Sequence, residues 1–384
     1  MILSFTERAP YAPHVEFVER KGLGHPDTIC DAVAEDLSRE LALGYIKHTG
    51  SVQAFNVDKA ILAAGSVEVG FGGGIHLKKA RLIVVGKADQ RRWQPDIDEL
   101  RASVGAHLAT LLPDADIDAA FDVDVWLTQS SSDLSLVVSG REDDMQVPLA
   151  NDTSFAVASL PRSPLEETVL QIERTLNSDD FRARVPIGRD TKVMGAIGEV
   201  ASIVVASPIL AARVGGRSEY DDAIVEVERQ VSATAAAILG EPPQVAVNQA
   251  DTGESAYLSL TGSSAEAGDD GQVGRGNRFG GLITPYRPMS LEATCGKNPA
   301  AHVGKTYHAV AYDICSRVLA ETDATGATVK LLSRIGSPVT EPQMVHIDVA
   351  GDAAPAALRQ ITEDCLRDWN GVKDRLIAGY YDLY

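Results

Sequence analysis

Gly268-Asp269-Asp270-Gly271-Gln272-Val273-Gly274-Arg275-Gly276-Asn277-Arg278 sets two adjacent carboxylates beside two arginines in a run of glycines. Glycine lets a backbone approach a ligand closely. Backbone N–H groups and arginines bind phosphate, and carboxylates hold Mg²⁺. A solvated turn whose opposite charges pair accounts for the residue types equally well. The spacing also rules out one fold. A dinucleotide-binding G-x-G-x-x-G fails because Gly280 falls one residue late.

Downstream, Gly296-Lys297-Asn298-Pro299 and Gly304-Lys305-Thr306 put two lysines near a helix start. The second piece looks like the end of a P-loop. The first glycine of G-x-x-x-x-G-K-T would have to be residue 299, which is Pro299, so no Walker motif exists. Both lysines are phosphate candidates, or ordinary surface lysines. Upstream, Gly24-His25-Pro26-Asp27-Thr28-Ile29-Cys30-Asp31 offers a histidine for acid, base or donor work. Asp27 and Asp31, four apart, share one helix face and can meet one metal ion. The plainer reading makes Asp27 a helix N-cap and His25 a loop residue. Asp152, in Ala150–Phe155, can accept from a base or ribose. Lys192, in Gly188–Gly195, can reach a phosphate.

The rest of the 384-residue chain reads as alternating strands and helices. Phe121, Val123, Val125 and Leu127 alternate as a half-buried strand does. Ser163-Pro164-Leu165-Glu166 opens a helix with a capping box, with Val169, Ile172 and Leu176 on its apolar face. Val200–Leu210 reads as one buried strand. Ser218–Leu239 reads as a long helix, with Ile224, Val227, Val231 and Ile238 on one side and Gly240 as its stop. Strands follow at Gln244–Val247 and Tyr257–Leu260, a helix from about Ala300 to Leu319, strands at Val329–Leu332 and Val345–Val349, and a helix from about Pro355. Glycine-dense loops fall at Lys21–Asp27, Gly65–Gly74, Pro186–Gly195 and Gly268–Gly304, and loops that long tend to be functional.

Hydrophobic residues make up 45% and charged residues 23%, the balance of a globular protein. A net charge of −19 argues against nucleic acid and anionic membrane as partners, so any polyanion must bind at a local basic site. Cys30, Cys295, Cys315 and Cys365 show no C-x-x-C pair, which speaks against structural zinc and for a reducing, cytoplasmic setting. No apolar run is long enough to span a membrane or serve as a signal peptide.

Taken in order, Val18–Asp27, Asn56–Lys59, Phe71–Gly74, Ala150–Phe155, Lys192–Gly195 and the block Ser264–Lys305, which contains Gly281–Pro285 and Arg287–Ser290, resemble the archaeal-type S-adenosylmethionine synthetases from about Val15 to Ile335. The resemblance implies an α/β (α+β) fold of three interwoven subdomains with pseudo-threefold symmetry, forming one catalytic unit. Their boundaries are expected at roughly 1–20 with 150–245, 21–130 with 246–300, and 301–384. It implies a homodimer with sites at the interface, ATP and L-methionine as substrates, Mg²⁺ as cofactor, and K⁺ as a second candidate cation.

It also implies roles. Asp27 and Asp269, with Asp270, hold Mg²⁺. Lys192, Arg275, Lys297 and Lys305 hold phosphates. His25 donates to the 5′ oxygen, and Asp152, Asp58, Gly271 and Gly274 complete the ATP side. Three departures stand out. Ile75 replaces an acidic residue after Phe-Gly-Gly-Gly, with Glu68 or Asp58 as substitutes. Arg189 stands between Gly188 and Asp190. Gln129-Ser130-Ser131-Ser132-Asp133-Leu134 replaces Arg-Gly-Ser-Ser-Asp-Leu. Two alternatives follow: an adenosyltransferase of this fold with another acceptor, or a non-catalytic ATP-binding homologue.

Overall fold

The computed structural model describes residues 1–131, 147–251 and 255–384. Its framework is three four-stranded sheets. In the first, Ile2–Glu7, Met344–Asp352, Asp323–Leu332 and Phe155–Leu160 lie side by side, with the helix Val303–Glu321 packed on them. In the second the order is Gln244–Val247, Ser202–Ala206, Lys192–Ile197, Glu16–Arg20, covered by the helices Pro164–Leu176 and Arg217–Leu239. In the third it is Gly271–Gln272, Phe55–Ala63, Ala80–Ala88, Phe121–Gln129, under the helices Pro26–Thr49 and Ile97–Leu111. The second and third sheets bury the residues facing their helices and leave the other face open. Val18, Leu62, Val125 and Val205 are buried, while Phe17, Ile61, Trp126 and Val204 are exposed, the period-2 pattern of a sheet covered on one side.

The sheets borrow strands across long stretches of sequence. Ile2–Glu7 runs parallel to Met344–Asp352, and Phe155–Leu160 pairs with Asp323–Leu332. Both therefore sit in the sheet of the C-terminal segment, which corrects the grouping of residues 1–20 with 150–245. Only Glu16–Arg20 of that N-terminal piece pairs within the second sheet. The expected strand Val200–Leu210 is two strands in different sheets, Ser202–Ala206 and Ile209–Leu210. Pro208 between them has no N–H for a ladder, and Ser207 N donates to Asn248 Oδ1 instead. Other boundaries follow local chemistry. Ser163 and Glu166 form the capping box, and Gly240, at φ 85°, closes the helix Arg217–Leu239. Tyr257–Leu260 contracts to Leu258–Ser259, and a second C-terminal helix, Trp369–Ile377, follows Pro355–Arg367.

The first sheet carries a charge cluster with a pH signature. Asp348 accepts from Lys330 Nζ at 2.6 Å, Arg8 Nε at 3.0 Å and His346 Nε2 at 3.1 Å. Burial acts to raise its pKa, but these three partners outweigh it and pull the carboxyl down to about 2. A depressed carboxylate stabilises the fold above its unfolded pKa near 4, and that contribution fades as pH falls towards 2. Asp348→Asn is expected to lower the melting temperature by about 2 °C at pH 7. The gap to wild type should close below pH 4 in a thermal-shift series.

Candidate active site

The glycine-dense stretch touches the second and third sheets. Gly271–Gln272 pairs with Leu62 and Ile61, Ile283 bridges to Glu19, and Gly296 O accepts from Val57 N at 2.9 Å. Its first part folds over the start of the helix Pro26–Thr49. A Cβ on Gly271 would lie 2.3 Å from Pro26 O, and one on Gly276 would lie 2.3 Å from Asp31 Oδ2. Glycine is required at position 271, where the clash is with backbone, while a side chain at 276 would have to displace the Asp31 carboxylate.

His25, rather than Asp27, caps that helix. Its Nδ1 accepts from Asp27 N at 3.1 Å. His302 caps Val303–Glu321 the same way, with Nδ1 accepting from Gly304 N at 3.2 Å. Burial, then Lys21 and Lys192, push the His25 pKa down to about 4 against the pull of Asp27. The imidazole is therefore neutral near pH 7. With Nδ1 accepting, its proton sits on Nε2, a ready hydrogen-bond donor.

Around it stand two cations and several carboxylates. Asp27 accepts from Lys21 Nζ at 2.8 Å and from Gln272 N at 2.9 Å. Lys21 Nζ also donates to Arg275 O at 3.0 Å. Lys192 Nζ lies 3.1 Å from Glu19 Oε1 on the neighbouring strand. Asp190 accepts from Ser264 N at 2.7 Å, and burial, aided by Asp269, raises its pKa to about 6. Asp269 is exposed, 3.3 Å from Ser264 Oγ. Asp31 is buried with Oδ1 accepting from Gly274 N at 2.7 Å and Oδ2 without a partner. A Cβ on Gly274 would touch Ala293, whose carbonyl accepts from Lys297 Nζ. Lys297 thus adjoins the same loop, 2.5 Å from Glu292 Oε1.

The structure therefore brings together His25, Asp27, Lys192, Asp269, Gly271, Gly274, Arg275 and Lys297. Lys21, Asp190 and Ser264 join them. The glycine-dense loops pointed to Lys21 and Asp190; Ser264 carried no signal of its own. Lys305 is wholly buried and donates to Glu35 and to Lys297 O, partners that engage its ammonium within the protein. Asp270 accepts from Ala64 N at 2.8 Å and ties down the turn after Phe55–Ala63. Asp58 is exposed on the open face of the third sheet, 2.6 Å from Lys59. Asp152 accepts from Thr153 N at 2.7 Å.

For a divalent ion, the donor set fits one held partly by substrate. Mg²⁺ is bound by one or two carboxylates and keeps water or phosphate oxygens. Asp269 is open for this role, and Asp27 would exchange Lys21 for the ion. Among the described residues no three His, Cys, Asp or Glu side chains form a protein-only cage.

The departures resolve in part. Arg189 contributes its backbone carbonyl to Gly24 N at 3.0 Å, while its guanidinium turns away to Thr110 O at 3.1 Å and Asp179 at 3.4 Å. Arg189→Gln is expected to leave turnover within about threefold of wild type, since its largely buried guanidinium pairs with Thr110 O and the exposed Asp179 rather than with the site residues, and a pair to an exposed carboxylate contributes little; a steady-state assay measures it. Ile75 sits directly opposite Glu68 on the hairpin Ser66–Gly70/Gly73–Lys78. Ser132, Asp133 and Leu134 lie outside the described residues. No helix among the described residues is long and apolar enough to cross a membrane.

The family model of S-adenosylmethionine synthetase (AdoMet synthetase) covers residues 1–380. An S-adenosylmethionine synthase of Halobacterium salinarum is 40% identical over 89% of this chain and 87% of its own. One of Pyrobaculum neutrophilum is 38% identical over the whole of both chains. A solved S-adenosylmethionine synthetase from Campylobacter jejuni shares the fold at a TM-score of 0.60, with 14% identity and 94% of each chain covered. With two nearly full-length relatives, a family model over almost every residue and a shared fold, the chain belongs to the S-adenosylmethionine synthetase family.

Proposed function

We propose that this chain joins ATP and L-methionine to form S-adenosylmethionine, then hydrolyses the triphosphate to pyrophosphate and phosphate. The observation that carries the reading is the convergence of a neutral histidine donor, lysines from separate stretches of the chain and a glycine-rich backbone around one loop. The methionine sulfur is nucleophilic without a base. Its lone pair attacks C5′, the C5′–O bond breaks, and the electron pair leaves on the triphosphate oxygen. Stabilising that charge is the task. His25 Nε2–H donates to the departing oxygen, and Lys192, Arg275 and Lys297 hold phosphate oxygens. Asp27 and Asp269 would hold Mg²⁺, which would supply further neutralisation of the triphosphate charge.

An altered acceptor loses one of its two supports, because the Arg189 charge points away from the site. For K⁺, the test is the rate in KCl against an equal concentration of tetramethylammonium chloride. We extend the reading to a homodimer, built on the open sheet faces that expose Phe17, Ile61, Trp126 and Val204. Light scattering should give the mass of two chains. The cytoplasm is the proposed compartment, in keeping with four free, buried cysteines.

Mass spectrometry of a reaction with ATP, Mg²⁺, K⁺ and L-methionine tests the main reading. S-adenosylmethionine with equal pyrophosphate and phosphate is expected. ATP binding without product would reject it and favour a non-catalytic homologue or another acceptor.

A further inference from the structure

One face of the helix Pro26–Thr49 carries Asp27, Asp31, Glu35 and Ser38, spaced four, four and three residues apart, so they stand one above another. All four side chains end on the backbone of the glycine-dense stretch. Asp27 and Asp31 take the N–H groups of Gln272 and Gly274. Glu35 accepts from Gly296 N at 3.0 Å, and Ser38 Oγ donates to Lys297 O at 2.9 Å.

Lys305 enters from the first turn of the helix Val303–Glu321. Its ammonium lies 2.6 and 2.7 Å from the two oxygens of Glu35 and donates to Lys297 O at 2.8 Å. The carbonyl of Gly296 is held by Val57 N at 2.9 Å, and Gly296 itself, at φ 81°, has no room for a Cβ, which would lie 2.2 Å from Val57 O. The two residues are gripped from three elements, and the Lys297 side chain leaves from this fixed point towards Ala293 O and Glu292.

A buried ion pair is weak evidence for stability, because apolar residues of the same volume often serve as well or better. This pair is fully desolvated where its spare hydrogen bonds fall on the backbone of a phosphate lysine. We infer that Glu35 and Lys305 are positioning residues for Lys297: they fix the backbone of Gly296–Lys297 and so aim the ammonium at the triphosphate. The inference rests on the proposed adenosyl transfer.

The test is a double-mutant cycle on the full chain, with kcat for S-adenosylmethionine formation and the melting temperature as readouts. Glu35→Gln keeps an acceptor for Gly296 N, and Lys305→Met keeps volume, so the pair is neutralised without leaving a lone buried charge. Glu35→Gln/Lys305→Met is expected to lower kcat by about tenfold, since small misplacements of a positioned group are costly. In a Lys297→Met background the same two changes should alter kcat by less than about twofold, because the group they aim is gone. A tenfold loss in both backgrounds, or wild-type kcat in the double variant, overturns the inference.

If the double variant does not fold, Ser38→Ala enters the same cycle. A loss of about threefold only when Lys297 is present supports the inference; an equal loss in both backgrounds, or none, overturns it. A wild type that makes no S-adenosylmethionine sinks the proposed reaction and this inference together. Multiplying losses in an active series sink the inference alone.

Discussion

His25→Ala lowers the rate of S-adenosylmethionine formation by about a hundredfold or more, while ATP binding stays near wild type. A donor that meets charge developing in the transition state contributes about 3 kcal/mol, and His25 has the credentials of one. Its Nδ1 is committed to Asp27 N, so Nε2 carries the proton, and a pKa of about 4 keeps the ring neutral throughout the working range. The variant also removes a helix cap, worth about 1 kcal/mol. His25→Asn separates the two effects, because asparagine caps well but its amide stops short of where Nε2 reaches. The expected result is a restored melting temperature with a rate as low as that of the alanine variant. Near-normal turnover in either variant would remove His25 from the chemistry. Rapid-quench measurement of S-adenosylmethionine, with ATP affinity by calorimetry, gives both quantities.

The same histidine shows what local rules can and cannot reveal. The capping box at Ser163 and the stop at Gly240 follow from side chains that reach their own backbone, so a four-residue window suffices. A histidine cap lies outside the usual cap residues, and residue types alone favoured Asp27 for that place. Ile2–Glu7 pairs with a strand some 340 positions away, and nothing within six residues encodes which partner it takes.

In the site, composition alone locates the glycine-dense loops, because close backbone approach and phosphate binding both demand glycine. Direction is different. Arg189 and Lys192 leave the same turn and diverge, one towards Thr110 and Asp179, the other towards Glu19. That choice is made by carboxylates on other elements. The family resemblance supplied the roles that spacing could not, and it took Lys305 along with Lys297 because both follow a glycine near a helix start.

Lys305→Ala should therefore behave unlike any phosphate-lysine variant, with loss of fold preceding loss of rate. Glu35 is buried at 4% exposure, and Lys305 is its charge partner, itself wholly enclosed. Removing the ammonium leaves a desolvated carboxylate facing a cavity, and breaking such a pair from one side costs about 3–5 kcal/mol. The Glu35 carboxyl, already raised by burial against the pull of Lys305, escapes part of that cost by taking up a proton. A carboxyl whose folded pKa lies above its unfolded value is most favourable below the unfolded pKa and loses ground as pH rises through the folded one. Denaturant melts should then show the variant's deficit growing from pH 5 to pH 8. Lys297→Ala, by contrast, frees a half-buried glutamate that can meet solvent, so its melting temperature should stay within a few degrees of wild type while its turnover collapses. If Lys305→Ala melted like wild type at every pH and lost only rate, the ammonium would belong with the phosphate ligands after all, and the buried pair would have no part in holding the loop.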